Sequence, residues 1–146
     1  MSQRSFSIGG SERERVEIVV QRYERPPSGE YYDDNWVNVE VFVSAGGFTG
    51  RFSASFQTAE LLSFRDQLSS LYSTLKGEAK FETMETQLTL VLTGDGRGGI
   101  SLKGEAWDQP GIGNRLEFNL DLDQTHVGKA VSELNEVVGG FPVRAG

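Results

Sequence analysis

Three runs of apolar/polar alternation with period two, separated by two turn-rich segments, fill the stretch from Leu88 to Thr125. The runs are Leu88-Thr-Leu-Val-Leu-Thr93, Ile100-Ser-Leu-Lys-Gly-Glu-Ala-Trp-Asp108 and Asn114-Arg-Leu-Glu-Phe-Asn-Leu-Asp-Leu-Asp123. Between them lie Gly94-Asp-Gly-Arg-Gly-Gly99 and Gln109-Pro-Gly-Ile-Gly113. A period of two places every second side chain on one face, so each run buries one side and wets the other. Runs of this kind joined by Gly and Pro turns form antiparallel meanders.

The same pattern recurs upstream. Val37, Val39, Val41 and Val43 form one row, with Asn38 and Glu40 pointing the other way between Trp36 and Phe42. After a Gly46-Gly47 turn, Phe48, Gly50, Phe52, Ala54 and Phe56 share a face. A one-residue slip would expose all these phenylalanines, so the register is well specified. Arg15 to Tyr23 is a further strand, with Val16, Ile18 and Val20 on one face; Ser5 to Ile8 is a short edge strand, and Glu78 to Thr83 opens the second set. The valine row is expected to be buried with Leu90, Leu116, Phe118 and Leu120.

Two segments change period. Leu61, Phe64, Leu68, Leu71 and Leu75 follow at spacings of three and four, which predicts a helix over 58–76 with Thr58 as N-cap and Gly77 as its end. Val127, Ala130, Val131, Leu134, Val137 and Val138 predict a second over 125–138, capped by Thr125 and stopped by Gly139-Gly140. Residues 139–146 read as a loose tail. A shift of 66 residues lays Phe52, Ala54, Phe56 and the first helix on Phe118, Leu120, Leu122 and the second. An internal ββββα duplication and a coincidence of two strand–helix units both account for that offset. The expected fold is α+β: about eight antiparallel strands, in one curved sheet or two packed sheets, with two helices covering apolar surface.

The 146 residues suit one domain, with 37% apolar and 24% charged residues. The apolar runs are too short to span a membrane. The N-terminus lacks the apolar segment of a signal peptide, which points to the cytoplasm. Without cysteine, disulfides and thiolate chemistry are excluded, and one histidine, His126, leaves a zinc site short of ligands. No cofactor is expected. The formal charge of −7 argues against nucleic acid, which requires clustered Lys and Arg, and suits a basic protein partner or simple solubility. Residues 1–77 hold ten acids and eight bases, residues 78–146 eleven and six, so the acidity is concentrated in the second half.

Several groups could carry chemistry. Gly94 to Gly99 lacks the Gly-Lys-Ser/Thr of a phosphate loop and reads as a hairpin turn. Residues 25–35, with two prolines and three acids, read as an exposed and mobile loop. Within it Asp33, Asp34 and Asn35 could hold a hard cation, act as acid/base groups or meet a partner. Trp36 and Trp107 stand where strands meet loops, beside charges, and serve either as interface anchors or as core-edge packing. Glu105 and Asp108, with Glu117, Asp121 and Asp123, give outward carboxylates on neighbouring strands. His126 reads as structural or surface. The candidate contact set is therefore Asp33, Asp34, Asn35, Trp36, Glu105, Trp107 and Asp108.

Six short strings occur together in order: Tyr31-Tyr-Asp-Asp-Asn-Trp-Val37, Gly77-Glu-Ala-Lys-Phe81 with Glu85, Gly94-Asp-Gly-Arg-Gly98, Gly104-Glu-Ala-Trp-Asp108, Gly113-Asn-Arg-Leu-Glu-Phe118 and Asp123-Gln-Thr125. In these strings, over about residues 12–138, the chain resembles the WapI-like family of small bacterial proteins, which includes immunity proteins against a wall-associated toxin. The resemblance implies a cytoplasmic, non-enzymatic protein that binds and neutralises a toxin domain. It assigns no contact residues. The competing expectation is a small enzyme or carbohydrate-binding module built on Trp36, Trp107 and the adjacent carboxylates.

Overall fold

A computed structural model describes residues 3–145. The chain opens with strands β1 (Arg4–Ser11) and β2 (Glu14–Tyr23) and a single helical turn, α1 (Tyr31–Asp34). Strands β3 (Trp36–Ala45) and β4 (Phe48–Gln57) lead into helix α2 (Thr58–Thr74). Then come β5 (Lys76–Phe81), β6 (Leu88–Asp95), β7 (Gly99–Gln109), β8 (Ile112–Asp123) and helix α3 (Gln124–Gly140). Two antiparallel four-stranded sheets result, each in sequence order, β1-β2-β3-β4 and β5-β6-β7-β8. The fold is α+β with two packed sheets, and the order ββββα occurs twice.

Alternation decides which face is inward. Val37, Val39, Val41 and Val43 share one apolar cluster with Ile18, Val20, Leu90, Leu102, Phe118 and Leu120. Leu116 is only half-buried and packs against that cluster. Phe48 departs from its expected row: it pairs with Ala45 beside the turn and is 69% exposed at the mouth of an open cleft between the sheets. Within β7 and β8, Gly104 stands opposite Phe118, whose ring occupies the place a Cβ at residue 104 would take.

A displacement of 66 residues carries α2 onto α3 from end to end. The N-caps are Gln57 and Asp123, one or two residues before the threonines expected there. Thr58 and Thr125 both already lie inside their helices, and the Thr58 hydroxyl donates to Asn35 Oδ1 at 2.7 Å. At Asp123 the carboxylate accepts from His126 N, and His126 Nδ1 accepts from Asp123 N, which gives the lone histidine a structural place. Helix α2 ends earlier than expected, at Leu75 in the left-handed region with φ 61. Buried Leu61, Phe64, Leu68 and Leu71 of α2 each contribute roughly 1.5–3 kcal/mol of gross hydrophobic stabilisation.

The helices are exchanged between the halves. Helix α2 follows the first sheet but packs along β5 of the second, while α3 follows the second and packs along β1 of the first. The C-terminal segment is not loose. Helix α3 continues through Gly140, Phe141 is buried, and Tyr23 Oη donates to the Pro142 carbonyl. The apolar Phe141 finds a place against the Tyr23 ring, 5.4 Å away, which anchors what the Gly-Gly pair was expected to release.

Candidate functional site

The loop before β3 folds around two of its own polar side chains. Asp34 is 2% exposed, accepting from Ser28 N and Ser28 Oγ, both at 2.7 Å, and from Gly29 N at 2.9 Å. The Ser28 hydroxyl bond is the main reason its carboxyl is held below the usual range, against the opposing effect of burial. Asn35 is fully buried, with every hydrogen-bonding site of its side chain used. Its Nδ2 donates to Tyr31 O (2.7 Å) and Arg144 O (2.9 Å); its Oδ1 accepts from Arg144 N (2.8 Å) and the Thr58 hydroxyl. The expectation of an exposed, mobile Asp33-Asp34-Asn35 is thus corrected for Asp34 and Asn35. A polar loop can be buried when its partners lie within itself and in a returning chain end. Only Asp33 stays exposed, 3.6 Å from Arg25.

What this clamp displays is aromatic. Tyr31 and Tyr32 are exposed, Tyr32 at 62%, and their rings meet edge to face with centroids 5.2 Å apart. The base is fixed by Gln57 Nε2 on Tyr32 O (3.1 Å) and by the bonds of Asp34 and Asn35. The sequence reading passed these tyrosines over. The available signal was an adjacent aromatic pair in a polar segment whose flanks offer no apolar period to bury it. Trp36, the next residue but one after Asp34, is half-buried on the outer face of its sheet.

On the outer face of the second sheet, Glu105 and Trp107 come together. Trp107 Nε1 donates to Glu105 Oε1 at 2.8 Å, and Arg115 Nη2 donates to Glu105 Oε2 at 2.9 Å. Arg115 also pairs with Glu117, and its guanidinium lies 6.0 Å from the Trp107 ring centroid. The Trp107 hydrogen bond, followed by that from Arg115, lowers the Glu105 carboxyl below its ordinary range. Asp108 belongs to the hairpin instead: it accepts Asn114 N (2.7 Å) and Asn114 Nδ2 (2.9 Å) across the Pro110-Gly111 turn, where Gly111 has φ +76. The Asn114 side chain is the first cause of its lowered pKa.

These carboxylates stay ionised at neutral pH, whereas a general acid needs a raised pKa. Glu60 is raised, by burial, but its two oxygens accept from Gln57 N (2.8 Å) and Met84 N (2.6 Å). No hydrogen bond or ion pair among the described residues joins the Trp36 group to the Trp107 group. A cleft of about 240 Å³ runs between Phe48–Phe52 and Asp108–Leu116, and a trough of about 400 Å³ lies over Gly104, Glu105 and Glu117. Both are open and shallow. Among the described residues no three His, Cys, Asp or Glu are placed to hold a metal ion, and no helix is long and apolar enough to cross a membrane.

The model of the Immunity protein WapI-like family matches residues 7–142. No curated protein matches the chain in sequence. A chain from the crystal structures of Trypanosoma bruciei MRP1/MRP2 is similar over 94% of this chain and 84% of its own, with 11% identity and a TM-score of 0.48.

Proposed function

Since the chain belongs to the Immunity protein WapI-like family, we propose that it neutralises a toxin domain in the cytoplasm by binding it directly and stoichiometrically, without catalysis. The observation that carries this reading is the extent of the match, residues 7–142 of 146, which spans both sheets and both long helices.

Contact falls to displayed side chains that cost little to order. Tyr31, Tyr32 and Asp33 stand on a clamped base, with Trp36 next to it in sequence; Trp107 is held by Glu105 and Arg115. Rigid aromatic groups with nearby charge dominate protein interfaces. Asp34, Asn35 and Asp108 hold these groups in place rather than reaching a partner, because their polar atoms are taken within the chain. The formal charge of −7 favours encounter with a basic toxin.

The test pairs the purified chain with the toxin domain encoded beside its gene. A 1:1 complex that abolishes toxin activity is expected. Tyr32→Ala and Trp107→Ala should each weaken binding by about 2 kcal/mol while the free protein keeps its unfolding midpoint. Absence of any complex would overturn the proposal.

A further inference from the structure

Each sheet has two edge strands, and an open edge is a row of unpaired main-chain groups that another strand can join. The four edges here are β1, β4, β5 and β8. Three carry a side chain from elsewhere in the fold. Glu133 of α3 accepts from Ser7 N on β1 at 2.9 Å, and Gln67 of α2 accepts from Lys80 N on β5 at 2.9 Å. Gln87 Nε2 donates to the Ser53 carbonyl on β4 at 3.3 Å. At the last residue of β8 Asp123 N donates to His126 Nδ1, and β1 lies near β8; among the described residues no side chain bonds to the outward main-chain groups of residues 115–121.

The reason is a break in the twofold likeness of the halves. Gln87 ends the connection 82–87 between β5 and β6, which is long enough to reach β4. The corresponding connection between β1 and β2 is residues 12–13 alone, whose bonds go to Ser11 and Gly46 and not to β8. The ladder shows which groups are left. Trp107 N donates to Gln87 O, towards β6, so by alternation Ala106 and its partner Leu116 bond to each other. Leu116, Phe118 and Leu120 therefore point their main-chain groups at β7. Arg115, Glu117, Asn119 and Asp121 point theirs outward along an edge about 20 Å long. Asn119 lies 66 residues after Ser53, the β4 residue whose outward carbonyl Gln87 does cover.

We propose that β8 is the docking edge for an extended basic segment of the toxin, which adds as a ninth strand by main-chain pairing; this rests on the toxin-binding reading above. Charge selects the occupant. Arg115 is already held by Glu105 and Glu117, while among the described residues Asp121 has no ion pair and Asp123 faces only His126. Lys or Arg at alternate positions of an incoming strand meets these carboxylates. A second copy would bring another chain of charge −7 to the same edge.

Residue-resolved amide hydrogen exchange, with and without the toxin domain encoded beside the gene, tests this. The amides of Glu117, Asn119 and Asp121 should exchange fast in the free protein and slow by roughly tenfold or more in the complex. Those of Leu116, Phe118 and Leu120 should be protected in both. Asn119→Pro deletes one outward donor without touching the β7 ladder and should weaken Kd by about tenfold; Asp121→Lys should weaken it most at low salt. If the proline variant does not fold, the exchange data on the natural chain decide. A stable complex in which the three amides still exchange fast would overturn the docking edge and leave toxin binding standing. Failure to bind the toxin would overturn both. Protection of these amides in the free protein that grows with concentration would assign the edge to a second copy and also overturn the proposal.

Discussion

Replacing Gly104 by alanine should destabilise the chain, and Phe118 should be the reason. An ideal Cβ at residue 104 falls 2.2 Å from Phe118 Cζ and within 2.6 Å of both Cε atoms. Carbon atoms in contact sit roughly 3.5–4.0 Å apart, so the ring must move by more than 1 Å. Phe118 is 5% exposed and sits in the inner layer, which leaves it no open direction. Overpacking of this kind costs about 1–3 kcal/mol. Relief of the entropy cost of glycine in a strand returns roughly 0.5–1 kcal/mol, which leaves a net loss centred on about 1 kcal/mol and reaching at most about 2.5 kcal/mol. Urea unfolding of the natural chain, Gly104→Ala, Phe118→Leu and the double variant measures this as a coupling energy. In the Phe118→Leu background the shorter side chain leaves room, and Gly104→Ala should become neutral or stabilising. An equal cost of Gly104→Ala in both backgrounds would refute the reasoning.

Asp34 titrates below its ordinary value when folded, so its contribution is complete above the unfolded value of about 3.9 and is lost as pH falls through the lowered folded value; the stability advantage over Asp34→Asn, from urea midpoints, should shrink below about pH 4. Glu60 runs the other way: its raised pKa makes its contribution complete below about 4.3 and lost as pH rises through the raised value. Between pH 4 and 7 the natural chain should therefore lose stability relative to Glu60→Gln. Asn35→Ala strands four hydrogen-bonding partners, the buried Thr58 hydroxyl among them, and should cost about 2 kcal/mol. Limited proteolysis should then cut between residues 25 and 35, where the natural chain should resist.

The alternation of residues 88–125 and of Trp36 to Gln57, with the three-and-four spacing of Leu61 to Leu71, determined the strands, the helices and the inward faces. Those features depend on neighbours in sequence and on the period of a strand or a helix, which the residues themselves display. The repeat offset of 66 was legible for the same reason. The partners of Asp34, Asn35 and Arg144 were not, because a hydrogen bond between Asn35 and a residue more than a hundred positions away leaves no local pattern. Composition alone marked residues 25–35 as a mobile loop and 139–146 as a loose end; the loop and residues 139–144 are ordered by each other, with Arg144 stacked on Tyr23 and bonded to Asn35, while residue 146 lies outside the described residues. The pairing of Glu105 with Trp107 followed from their i, i+2 spacing on one strand face, while the retreat of Asp108 into its turn came from a bulge between Trp107 and Gln109 that no periodicity announces. Which edges are covered was decided last, by the exchange of the two helices and by one connection being long enough to turn a corner that its counterpart does not reach.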